Sequence, residues 1–290
     1  MAKSKDAKPD TDKDANGFDG LAEGPEGDKP MSFFDHVGEL RVRLLQSAVG
    51  ITIAFFACFY FAAPLSDFLR IPLDAAWSSA GLGERAELQA LQIQDPLMVD
   101  FRVSLMASVF VCTPWLFFQL WMFIAPGLYS KEKRFVIPFV VVSVIMFTIG
   151  AAFAFKIVLP FVYEWMITYS KDRGEIVQLE LGNYFKGTTR VLLAFGAVFE
   201  FPLLVAFLAK AGVVTEQTLI RFWKFAVLLI FILAAVLTPP EPISQLLMAV
   251  PMCVLYFISI GVAWVLNPAA KVAAKTAEID AELGLDDDDD

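Results

Sequence analysis

The chain has one histidine, His36, and three cysteines in 290 residues. A His-based metal centre or a catalytic triad has too little to build on. Cys58, Cys112 and Cys253 each sit in an apolar stretch, without metal-ligand spacing or an evident disulfide partner. No cofactor, no metal and no enzyme activity are expected. Charge is also scarce: 19% of residues are charged, against about 25% in an ordinary soluble domain. Leu44–Ala63, Val103–Ser130 and Phe135–Phe155 carry no charge at all, and each is long enough to cross about 30 Å of hydrocarbon. An ordinary soluble domain is excluded, and the chain reads as an all-α polytopic membrane protein.

The chain is instead rich in apolar residues, at 57% hydrophobic with 28 phenylalanines, and its mean hydropathy is +0.61. The formal net charge of −9 belongs to the two ends. Residues 1–30 hold five Lys against eight Asp and Glu, and residues 267–290 hold two Lys against eight. The body between them has 16 basic and 16 acidic residues and is neutral. Nucleic acid is not an expected partner, because no basic cluster stands out. Both ends have the composition of segments that cannot offset their ordering entropy. The expected organisation is a disordered tail over 1–30, a six-helix membrane domain over 31–266 and an acidic disordered tail over 267–290.

Ser32 is expected to cap a first helix, in which Phe33, Val37, Leu40 and Leu44 share one face. The apolar run that follows exceeds the roughly 7–15 residues of a secretory signal core, so it reads as a retained span. Six spans are expected, at about 44–63, 103–124, 135–156, 190–210, 222–237 and 243–265. With the N-terminus inside, the short loops 124–134 and 210–224 hold six Lys and Arg in 26 residues, and the outer segments hold eight in 79. That bias favours both termini on the cytoplasmic side. The outer segments 64–102 and 156–190 carry Trp77, Tyr163, Trp165 and Tyr169 and have room for short helices that cap the outer face. Only 13 residues separate Lys224 from Thr238, about 20 Å of helix. The fifth span is therefore expected to be short, and either to thin the bilayer around it or to sit sunken within the bundle.

Glu200 has nine uncharged residues on each side. A carboxyl so deep must face the interior, find a polar partner or take a proton. It is either a functional proton site or a hydrogen-bonding tie between helices. Pro202 cannot donate its helical N–H and is expected to kink the span. Glu39 has a structural account as an i,i+4 partner of Arg43, and Glu132 has one as a first-turn acid after a Ser130 cap. The functional alternative is a pair of carboxylates on the basic face, suited to guanidinium groups. Pro126-Gly127 marks a turn, Thr238-Pro239-Pro240-Glu241-Pro242 is a rigid outer turn, Gln245 seeks a partner across a helix interface, and Pro251 is expected to bend the last span.

Four of these stretches resemble the TatC family, the C subunits of twin-arginine protein translocases. They are His36-Val37-Gly38-Glu39-Leu40-Arg41-Val42-Arg43, Phe123-Ile124-Ala125-Pro126-Gly127-Leu128-Tyr129-Ser130-Lys131-Glu132-Lys133-Arg134, Phe199-Glu200-Phe201-Pro202, and Thr238-Pro239-Pro240-Glu241-Pro242-Ile243-Ser244-Gln245. The resemblance covers about residues 31–265 and implies a glove-shaped six-helix fold with short fifth and sixth helices. It implies a signal-peptide receptor and core assembly subunit that exports folded proteins across the bacterial inner membrane on the protonmotive force. Glu39 and Glu132 would bind the signal peptide's paired arginines, with Phe123 nearby and Arg41 in support. Glu200 would line the concave face. Gln245 and Thr238 would meet the single-span subunits TatB and TatA, and further TatC copies would join the complex. Pro240 and Glu241 would shape the outer turn. Two positions depart from the family: Glu241 stands where Asp is usual, and Phe257 follows Leu255-Tyr256 where Glu is usual. A small proton-coupled transporter using Glu200 is the alternative, although no internal repeat supports it.

Overall fold

The computed structural model describes residues 33–124, 136–175, 177–210, 212–237 and 242–266. Both tails, Ser32, Pro126-Gly127, Glu132, Thr238, Pro240 and Glu241 lie outside the described residues. Nine α-helices are described, six of them or their continuous combinations being long and apolar enough to cross a membrane.

Helix α1 (Phe33–Tyr60) joins the amphipathic entry and the first span in one rod. It packs mainly along α3 (Asp95–Ile124). The pairs Arg43–Gln119, Gln46–Trp115, Gly50–Cys112 and Phe55–Phe101 run in opposite order, so the two helices are antiparallel. Gly50 lets them approach, because a Cβ there would stand 3.0 Å from the Trp115 ring. Helix α3 is the hub of the bundle. Its small or uncharged polar residues Ser104, Ser108, Thr113 and Gln119 are all buried, which suits close helix packing where lipid supplies no hydrophobic drive.

The long segments 64–102 and 156–190 do carry helices. Helix α2 (Ala62–Ser79) lies against α3 and α5 (Leu159–Asp172). Leu69, Leu73 and Ala76 of α2 form the main core with Val158, Leu159, Val162, Ile167 and Phe185. Tyr184 donates its hydroxyl to the Leu69 carbonyl at 2.6 Å, and Arg102 donates to the Gly182 carbonyl at 3.1 Å. A two-residue parallel pairing of β1 (Leu88–Gln89) with β2 (Leu179–Glu180) closes this end.

The third span is longer than the expected 135–156. Helix α4 (Val136–Phe153) passes through a π-helical turn at Ala154–Val158 into α5, so that Ile137–Asp172 is a 36-residue rod. At 1.5 Å per residue it is about 54 Å long and overreaches the hydrocarbon. The wide turn falls where Pro160 leaves the Lys156 carbonyl without its usual donor, a recognised cause of helix distortion. The fourth span breaks as expected. Helix α6 (Leu181–Phe199) ends at Glu200 and α7 (Phe201–Lys210) begins with Pro202 in its first turn. Helices α4 and α6 cross closely: a Cβ on Gly196 would lie 2.7 Å from the Phe147 ring, and one on Gly150 would lie 2.6 Å from the Phe195 carbonyl.

Helix α8 (Glu216–Leu237) has 22 residues, six more than the 222–237 read from the apolar run. The polar stretch Glu216–Arg221 continues the helix, giving about 33 Å in all. Length alone therefore does not force the bilayer to thin, and what is short is the uncharged part. Its candidate span and that of α9 (Pro242–Leu266), at 22 residues each, are still the shortest of the six. Helix α9 continues through Pro251 and packs on α7 and α8, burying Met248, Ala249, Met252 and Ala263. Helix α8 is largely exposed away from α9, with Ala234 its one buried residue.

Candidate functional site

One cluster gathers where α1 begins and α3 ends. Glu39 stands on the second turn of α1, with 18% of its side chain exposed. Its Oε1 accepts a hydrogen bond from Arg43 Nη2 at 3.0 Å, the i,i+4 pair expected from the spacing. Its Oε2 is buried and has no hydrogen-bond partner. Arg43 reaches further and donates through Nη1 to Gln119 Oε1 at 3.0 Å. Gln119 is 2% exposed. Phe123, half-buried, is one helical turn beyond Gln119 on the same face of α3. Glu39, Arg43, Gln119 and Phe123 thus occupy one strip of the α1–α3 seam. Arg41 is exposed and two residues from Glu39, about 200° around the helix, so it faces elsewhere. The structure brings together Glu39 and the Phe123 end of α3 and leaves Arg41 off that strip.

Gln119 is the residue the sequence reading passed over. Its signal was there: a lone amide in a 28-residue uncharged run needs a polar partner.

A second polar group lies inside the bundle. The Glu200 carboxyl faces the Ser143 hydroxyl and the Phe147 backbone of α4. Its Oε1 is buried without a hydrogen-bond partner. Trp121 of α3 donates its indole N–H to Ser143 Oγ at 3.0 Å, so three helices share one polar link. On its other side Glu200 borders a cavity of about 390 Å³ among α6, α7, α8 and α9, lined by Phe201, Leu204, Ile230, Met252 and Tyr256. The break before Pro202 puts the carboxyl there, because the Glu200 backbone is a turn rather than continuous helix. Ser143 and Trp121 also escaped the sequence reading, since a serine and a tryptophan in apolar runs look like packing.

At the opposite end, Gln245 donates its amide N–H to the Phe231 carbonyl of α8 at 3.0 Å. Arg190 of α6 donates to the Val236 carbonyl at 3.2 Å. The expected search for a polar partner across a helix interface therefore ends within the chain, on the last turns of α8. Phe257, at the position where the family usually has Glu, is exposed on α9. Among the described residues no three His, Cys, Asp or Glu side chains meet as a metal site.

The family model described as Sec-independent protein translocase protein (TatC) matches residues 35–251. The chain is 39% identical over 236 residues to the TatC of Helicobacter pylori, which covers 81% of this chain and 88% of that one. It is 38% identical over 237 residues to the TatC of Campylobacter jejuni, with 81% and 95% covered. For TatCy of Bacillus subtilis the identity is 31% over 253 residues, with 87% and 95% covered. The crystal structure of a twin arginine translocase receptor, TatC, superposes with a TM-score of 0.72 at 33% identity, covering 79% of this chain and 97% of that one. These comparisons give no support to a small proton-coupled transporter. The chain belongs to the TatC family of Sec-independent protein translocase proteins, as a multi-pass membrane component of the twin-arginine translocase and not an enzyme.

Proposed function

We propose that this chain is the receptor for twin-arginine signal peptides within that translocase, with Glu39 and Glu132 as the carboxylates that hold the two arginines. The observation that carries the reading is the place of Glu39: on α1, it is tied through Arg43 to Gln119, which sits five residues short of the end of α3. The segment bearing Glu132 leaves from that same end of the bundle. Phe123 supplies an apolar surface for the residues beside the arginines, and Arg41 supports the surroundings. The Lys and Arg bias supports a cytoplasmic position for this face and both termini, with the protein in a bacterial inner membrane. Folded cargo crosses on the protonmotive force. TatB and TatA, the single-span subunits, dock along the exposed α8 and the Thr238–Gln245 region, and further TatC copies complete the assembly. Pro240 and Glu241 keep the outer turn rigid. The double variant Glu39→Gln plus Glu132→Gln is expected to insert normally and lose binding of a paired-arginine peptide. Full binding by that variant would refute the assignment.

Glu200 has a separate part in this reading. It is a polar group held at the wall of an apolar cavity, available to a donor group or a proton. An infrared carboxyl band that changes with pH in lipid, and is missing from Glu200→Gln, is the expected signature of proton exchange. A pH-invariant spectrum would rule out that role.

A further inference from the structure

We propose that Arg43 is an internal competitor for the Glu39 carboxylate: a resident guanidinium that the signal peptide's own guanidinium must replace. The inference rests on the reading of Glu39 as an arginine-binding group. Neither oxygen of Glu39 is open to a ligand as the structure stands. Oε1 is taken by Arg43 Nη2 at 3.0 Å, and Oε2 is buried and unpartnered. An i,i+4 pair between exposed side chains opens easily. This one is different because Arg43 is anchored from a second helix, by the bond from Nη1 to the buried Gln119 at 3.0 Å.

That second anchor also makes exchange feasible. When Glu39 turns toward an incoming cation, Arg43 keeps its bond to Gln119 and is not left stranded. The closed state meanwhile holds a carboxylate oxygen out of water without a donor, a cost that a two-pronged partner relieves. A guanidinium offers two parallel donors and can match what Arg43 offers, whereas an ammonium is a single compact charge. The closed pair therefore holds the receptor shut against casual cations and yields to arginine.

The test is the affinity of the full-length protein, in lipid nanodiscs, for a fluorescent paired-arginine signal peptide. Arg43→Gln removes the competitor and is expected to tighten binding about fivefold, the scale of a partly exposed ion pair. Arg43→Lys keeps the charge but offers it as a single point in place of a planar two-pronged fork, and is expected to fall between wild type and Arg43→Gln. A merely supporting Arg43 gives the reverse order, with both variants weaker than wild type. That order, or equal affinity in all three, overturns the proposal. If Arg43→Gln does not fold, Arg43→Lys alone decides: tighter binding upholds the proposal, and equal or weaker binding overturns it. Glu39→Gln is measured alongside. Binding lost in Glu39→Gln together with a reversed order removes the competitor alone, whereas binding unchanged in Glu39→Gln removes the arginine-binding reading beneath it.

Discussion

Single side chains hold this bundle together through a few polar ties in an apolar setting. Tyr184 is the clearest of them, with its ring in the core and its hydroxyl on the Leu69 carbonyl of α2. Tyr184→Phe keeps the packing and removes the hydroxyl's bond to that carbonyl. It is expected to cost about 1 kcal/mol, read as a lower midpoint of thermal unfolding in detergent, and an unchanged midpoint would show that the bond adds nothing. Legibility was uneven at this scale. Glu39 and Glu200 announced themselves as carboxylates in unusual places, and the Glu39–Arg43 spacing announced their pairing. Gln119, Ser143 and Trp121 did not, because their roles depend on which helix lies opposite, and a single sequence carries no such pairing. Glu132, Thr238, Pro240 and Glu241 remain readings from sequence.

At the level of helices, the outcome followed from breakers and from close approaches. Pro202 was legible as a break because a missing N–H has the same effect in any bundle. The full lengths of α5 and α8 were not, since hydropathy registers where lipid begins and does not register where a helix continues beyond it. The α4–α6 crossing depends on glycine. Gly196→Leu would drive a side chain into the Phe147 ring and is expected to destabilise the bundle by about 1–3 kcal/mol. Gly38 of α1, where an added Cβ meets nothing within 4 Å, should accept alanine with no loss. Unfolding of both variants by denaturant in mixed micelles checks the contrast, and equal stability would mean that the crossing relaxes freely.

Across the whole molecule, α3 is the hub among six spans, packed against α1, α4 and α6, with one end capped by α2, α5 and the β1–β2 pairing and a polar seam at the other. The span count and the helical cap could be read from apolar run lengths and from the long outer segments. The packing of α1 against α3 could not, because within the spans the lipid-facing and protein-facing sides are both largely apolar. The proposed orientation rests on basic residues alone and has a direct check. Reporter domains fused to each terminus are expected to behave as cytoplasmic, and the 64–102 segment is expected to be labelled by a membrane-impermeant thiol reagent through an introduced cysteine. An externally labelled terminus would invert the account.

The central claim is that the Glu39 end of the α1–α3 seam receives paired arginines. It is tested most directly by photocrosslinking in native membranes, from a probe placed beside the two arginines of a signal peptide. The account predicts adducts in the segments around Glu39 and Glu132, lost when the arginines become lysines and lost again in Glu39→Gln plus Glu132→Gln. Adducts that persist through both changes, or that map to the capped end of the molecule, would contradict it.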